Sequence, residues 1–308
     1  MAIPRRGGYI ALNTTTDEFT DVPERPDMSA LGLGLIAAVC WGLHDILVRQ
    51  VSQRAPLMAS LMVVLVAGSV LQAVVMVGTG GTGPVSPQAA AYAALSGVFF
   101  LTASLGLYGA FQRGPVRLVA PIIASYPILS VGWAAFSGAP VSALEWLAVL
   151  AIIAGVSVVA ALSADEHTPA PPAGRTIAYA LIAAVGFAGT FALGQTATEM
   201  ASDLPVILIT RLVSIALLAA LMVIRQLPFN PGRRAVPVLL AMGCLDGVAL
   251  MAVLSAGSLP NAQYAAVAAS VFGLLTIVMA WAFLRERMSA AQWSGCLVAF
   301  AGIGYLAL

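Results

Sequence analysis

The sequence predicts an all-α, polytopic membrane protein built as two inverted repeats of five transmembrane helices. Three observations predict it. Apolar residues make up 60% of the 308 and charged residues 9%, whereas a soluble domain carries about 25% charged residues. No charge occurs between Ala55 and Gln112, a stretch long enough for two spans broken by Gly78-Thr79-Gly80-Gly81-Thr82-Gly83-Pro84. A constant offset of 147 residues carries Ser142, Ala143, Trp146, Ala154 and Gly155 onto Ser289, Ala290, Trp293, Ala301 and Gly302.

The composition excludes a soluble enzyme, a disordered chain and a nucleic-acid binder. Mean hydropathy is +0.97. The 14 basic residues are all arginine and face 13 acids, so no basic field exists to attract nucleic acid. Cys40, Cys244 and Cys296 each fall in an apolar stretch and read as buried thiols, not a disulfide framework.

Residues 1–29 form a polar tail in which Asp17, Glu18, Asp21, Glu24 and Asp27 alternate with prolines. The first repeat, 30–162, holds spans at 30–49, 57–77, 88–111, 116–137 and 143–162. A polar linker, 163–174, carries His167. The second repeat, 175–308, holds spans at 175–196, 205–224, 235–257, 262–284 and 289–307. Five spans per repeat, an odd number, insert the second repeat upside down, an arrangement that places a binding site between repeats.

Loops after odd-numbered spans hold ten arginines and loops after even-numbered spans hold none. The positive-inside rule places the ten in the cytoplasm and both termini outside.

Trp41-Gly42 in the first span, Pro127 in the fourth, Arg211 in the seventh and the run from Phe283 to Gly295 resemble motifs of the EamA family of the drug/metabolite transporter superfamily. In that run Arg285-Glu286-Arg287 stands where the family has GER, followed by Ser289, Gln292, Trp293 and Gly295. The first repeat carries Ser137-Gly138-Ala139-Pro140 at the corresponding place, and Gly273 stands where a second mid-span proline falls. The resemblance implies a multi-pass protein of the bacterial inner membrane, with a small-molecule substrate carried through a cavity between the repeats. It implies no cofactor. A homodimer is compatible with it.

Ionisable groups within spans are costly and mark functional candidates. His44, Asp45, Arg211 and Asp246 are the four. At about 1.5 Å per residue, Arg211 lies ~9 Å and Asp246 ~17 Å from the same face, so the two predict an ion pair. It serves as a structural clamp or as a substrate or proton site. Asp45 lies near the opposite face, with Arg49 four residues on as an i,i+4 partner; it is read either as an edge ion pair or as a group near the cavity mouth. His44, whose imidazole can both donate and accept a proton, suits a proton relay or a packing role.

Trp41, Ser125, Tyr126 and Gln195 complete the candidate cavity. Trp146 and Trp293 read as interfacial anchors, and Gly243 and Gly247 as a GxxxG contact. No metal-binding or nucleotide-binding motif is present, so active transport would draw on an ion gradient or exchange. The rival readings are a non-transporting scaffold, packed shut between the halves, and a membrane-embedded lipid enzyme.

Overall fold

The structure, a computed structural model, describes residues 30–129, 132, 141–162, 173–259 and 263–306. The tail, most of the linker with His167, and Ser137–Pro140 lie outside the described residues. The first repeat contributes α1 (Ala30–Val51), α2 (Leu57–Thr79), α3 (Pro87–Arg113), α4 (Val116–Ala124) and α5 (Ala143–Ala161). The second contributes α6 (Ala173–Met200), α7 (Asp203–Ile224), α8 (Val236–Ser255), α9 (Gln263–Ala269), α10 (Phe272–Met279) and α11 (Ala290–Leu306).

Seven helical segments are long and apolar enough to cross a membrane, and three shorter apolar ones cover 116–129, 143–159 and 290–306. The ninth expected span is two helices, α9 and α10, broken by a turn at Ser270 and Val271. The fourth breaks likewise at Ser125 and Tyr126, just before Pro127, whose ring cannot continue the i→i−4 ladder.

Each long helix divides into a lipid stripe and a packed stripe. On α1, Leu35, Val39 and Leu43 recur every four residues and are exposed, while Ala37, Ala38, Trp41, Asp45 and Val48 are buried. Val66, Val70 and Val74 form the same stripe on α2. This is the 3.6-residue period acting in a solvent that is itself apolar.

Most close packing joins one repeat to the other. α3 packs on α6 and α1 on α8; α2 packs on α8 and α3 on α7; α1 packs on α9 and α10, and α4 on α6. In each of these three pairs of contacts, the second is the first with the repeats exchanged. α5–α11, α2–α7 and α4–α10 are their own counterparts.

Because lipid tails are as apolar as leucine, such contacts depend on close approach and hydrogen bonds. Ser214 Oγ donates to the Gly97 carbonyl at 2.8 Å and Ser96 Oγ to the Thr190 carbonyl at 2.9 Å. The GxxxG of α8 sits against α2: a Cβ on Gly243 would stand 2.6 Å from the Val64 carbonyl oxygen.

The motif between α10 and α11 builds helix ends. Ser289 and Gln292 form a reciprocal capping box, with the Gln292 N–H donating to Ser289 Oγ at 3.2 Å and the Ser289 N–H to Gln292 Oε1 at 2.9 Å. Ser142 and Glu145 repeat it on α5, at 3.2 and 2.7 Å. Glu286 reaches the other repeat, where its carboxylate accepts from the N–H groups of Val116 (3.0 Å) and Arg117 (3.2 Å) at the start of α4. Arg285 has φ 55°, a left-handed backbone that favours glycine.

Candidate functional site

A cavity lies between the repeats, lined by α1 (Trp41, His44, Asp45), α2 (Leu61, Val64) and α3 (Ser104, Leu107, Tyr108) from one, and by α6 (Phe187, Phe191), α8 (Asp246) and α10 (Phe272) from the other. It offers about 20 Å³ to water centres, room for one or two waters.

The expected ion pair is formed. Arg211 Nη1 lies 2.6 Å from Asp246 Oδ2, and the Arg211 side chain is fully buried. The close approach of α2 and α8 shapes the pair: a Cβ on Gly68 would stand 3.1 Å from the Arg211 guanidinium carbon and 2.9 Å from the Gly243 carbonyl oxygen. Phe100 covers the guanidinium, its ring centroid 4.9 Å away, a cation–π contact in a dry setting. Nε and Nη2 of Arg211 have no hydrogen-bond partner among the described residues. The second oxygen of Asp246, Oδ1, accepts from Trp41 Nε1 at 3.0 Å. Asp246 thus has both oxygens engaged and joins α1, α7 and α8.

Asp45 differs from expectation in two ways. Arg49 is not its partner; Arg49 Nη1 donates to the Phe111 carbonyl at 2.6 Å, one of the unpaired acceptors at the end of α3. Nor is Asp45 remote from Asp246, since both line the same cavity. α1 extends to Val51, which moves Asp45 inward, and Trp41, one turn earlier, reaches across to Asp246. Asp45 Oδ1 lies 3.3 Å from His44 Nδ1, and Tyr108 Oη lies 3.5 Å from His44 Nε2. Asp45 Oδ2 is buried and has no hydrogen-bond partner among the described residues.

The remaining candidates stand outside the lining. Ser125 Oγ donates to the Ile122 carbonyl at 2.7 Å, and the Tyr126 hydroxyl donates to the Ala266 carbonyl across the two broken spans. Gln195 Nε2 donates to the Val253 carbonyl at 3.1 Å, tying α6 to the end of α8.

Half of the lining residues not picked out from sequence are aromatic: Tyr108, Phe187, Phe191 and Phe272. Trp41 has ring centroids of Phe191 at 5.5 Å, Phe187 at 6.0 Å and Phe272 at 6.2 Å, and Tyr108 sits 6.1 Å from His44. A signal for them exists in the repeat. The 147-residue offset carries His44 onto Phe191, Ser125 onto Phe272 and Arg211 onto Val64. A second cleft, at the arginine-bearing end and lined by Arg54, Arg233 and Arg234 among others, shares no residue with this cavity.

The EamA-like transporter family model matches the chain twice, at residues 28–161 and 174–308. A solved structure described as "Crystal structure of protein" superposes with a TM-score of 0.69 at 17% identity, over 91% of this chain and 98% of that one. At that identity the likeness speaks to the fold alone. The curated proteins contain no match. Two matched repeats that span almost all of the described residues, and a cavity between them, make this chain a member of the EamA-like transporter family.

Proposed function

We propose that the protein is a secondary transporter that moves a small polar or amphipathic metabolite across a bacterial inner membrane by alternating access. Ten spans in two inverted repeats carry it, with the substrate site in the cavity between them. The observation that supports this most is the placement of Trp41, His44, Asp45 and Asp246, polar groups that a bilayer-spanning protein rarely buries without use, around one cavity lined by both repeats. The exchange symmetry of the helix contacts supports a pseudo-two-fold relation, and the broken spans resemble the discontinuous helices of other transporters.

A volume suited to one or two waters is what an occluded state would have. It is also what a scaffold packed shut would have, and that is the second reading. Uptake into proteoliposomes separates them. A metabolite panel presented with an imposed ion gradient, or by counterflow, should reveal saturable uptake of at least one compound over protein-free vesicles. A protein folded by thermal-shift criteria that moves nothing under either regime would support the scaffold. The ten-to-zero arginine split supports an orientation with both termini outside; a phosphatase fused at Leu308 should be active, and a dark phosphatase with a bright cytoplasmic fluorophore would reverse the orientation.

A further inference from the structure

We infer that the substrate is a small organic cation, an ammonium-bearing molecule whose charge pairs with Asp45 and whose body packs among Trp41, Phe187, Phe191 and Phe272. The inference rests on the transport reading and specifies the chemistry of the same site.

The charges around the cavity decide its sign. Asp246 is neutralised by Arg211 at 2.6 Å, and its other oxygen is held by Trp41. Arg211 cannot serve as an anion receptor in this arrangement, because it lies beyond Asp246, over Phe100, and is not among the lining residues. Asp45 is the acid left over. One of its oxygens faces His44 and the other, Oδ2, is buried with no donor among the described residues.

The helices packed on α1 supply few compensating groups. α3 brings Tyr108 and α8 brings Asp246, while α10 carries no titratable residue. α9 meets α1 at Gly34 through Ala265 and Ala268, eleven residues or about 16 Å from Asp45. On α1 itself, Arg49 is turned away to the Phe111 carbonyl. Among the described residues only His44 stands close enough to offset Asp45, and Tyr108 at its other nitrogen allows a neutral ring that donates through Nδ1 and accepts through Nε2. With Asp45 ionised, the cavity carries a net negative charge when His44 is neutral and no net charge when His44 is protonated.

An anion entering this site would meet two carboxylates in a low dielectric with no free cation. An ammonium would supply the missing donor to Asp45 Oδ2, and the surrounding rings would offer their negative faces. The rings stand 5.5 to 6.2 Å from Trp41, in mutual contact, so the box is collapsed and opens to receive its ligand.

The test is binding, not flux. Purified protein in nanodiscs is titrated with small alkyl- and aryl-ammonium ions, among them phenethylamine, each beside its neutral alcohol and its carboxylate isostere. Ammonium ions should bind saturably and at least tenfold more tightly than either isostere. Asp45→Asn should remove that preference, and Asp45→Glu, which keeps the charge, should restore part of it. Both variants should elute as monodisperse protein, and Asp45→Glu guards against a loss that reflects folding alone. Preference for the carboxylates, equal binding of all three classes, or no binding by any, with the cavity holding water only, would overturn the cation assignment. A measured flux of some other metabolite would still leave the transport reading standing, whereas absence of flux for every compound in the wider panel would remove that reading itself.

Discussion

Breaking the Arg211–Asp246 pair should destabilise the protein more than removing most of its other polar contacts. Asp246→Asn keeps the shape and an oxygen to accept from Trp41 Nε1, now 3.0 Å from Oδ1, but deletes the charge 2.6 Å from Arg211. A fully buried guanidinium would remain, with two nitrogens that already lack partners among the described residues. Removing one member of a buried pair costs about 3–5 kcal/mol, and the Phe100 ring offsets part of this. We expect about 3 kcal/mol, which at 1.4 kcal/mol per decade is on the order of a hundredfold in the folded-to-unfolded ratio. Arg211→Gln should cost a similar amount, because it strands the Asp246 carboxylate. The double variant places two neutral amides in contact and should recover much of the loss, giving a coupling energy of about 2–3 kcal/mol. Reversible unfolding in mixed micelles, run as a double-mutant cycle, measures it. Additive losses, within about 0.5 kcal/mol, would refute the reasoning that each charge is buried only because the other is present.

Three further outcomes are expected from stability measurements in the same system. Gly68→Ala should destabilise by about 1–3 kcal/mol, since its Cβ would stand 2.9 Å from the Gly243 carbonyl oxygen, while Gly78→Ala on the same helix meets nothing within 4 Å and should be neutral or slightly favourable. Glu286→Gln should cost about 1–2 kcal/mol, because an amide accepts through one oxygen where the carboxylate now accepts from Val116 and Arg117; an unchanged melting temperature would show that the cap contributes nothing. Arg285→Gly should stabilise by about 1 kcal/mol by relieving a side chain held at φ 55°, and a loss of stability would mean that the arginine side chain makes a contact worth more than the backbone strain.

Different parts of the molecule were legible in the sequence for different reasons. Spans could be read because hydropathy is summed along the chain and needs no knowledge of direction. The Arg211–Asp246 pair could be read because depth follows from residue count and both charges needed a partner. Asp45 lies deeper than its place in the sequence suggests because α1 runs on past Arg49 to Val51, and the Arg49 charge is carried to the Phe111 carbonyl. The break in the ninth span has no proline at Ser270 and Val271 to announce it. Phe187 and Phe191 look like ordinary apolar residues one turn apart. Only the partner helices decide whether such a pair meets lipid or a cavity, and here Trp41 faces them. Gln195 stands out in the sequence for its polarity, but the end of α8 has a Val253 carbonyl that needs a donor, and Gln195 supplies it.

The central claim is that the cavity between the repeats is a transport site, and substrate flux tests it most directly. Metabolites taken up by proteoliposomes are identified by mass spectrometry, and uptake of each is then measured against concentration. The account predicts saturable uptake of at least one small compound, faster under counterflow, and reduced at least tenfold by Asp45→Asn in protein that remains monodisperse. Uptake that never exceeds protein-free vesicles, or that Asp45→Asn and Trp41→Ala both leave unchanged, would contradict it.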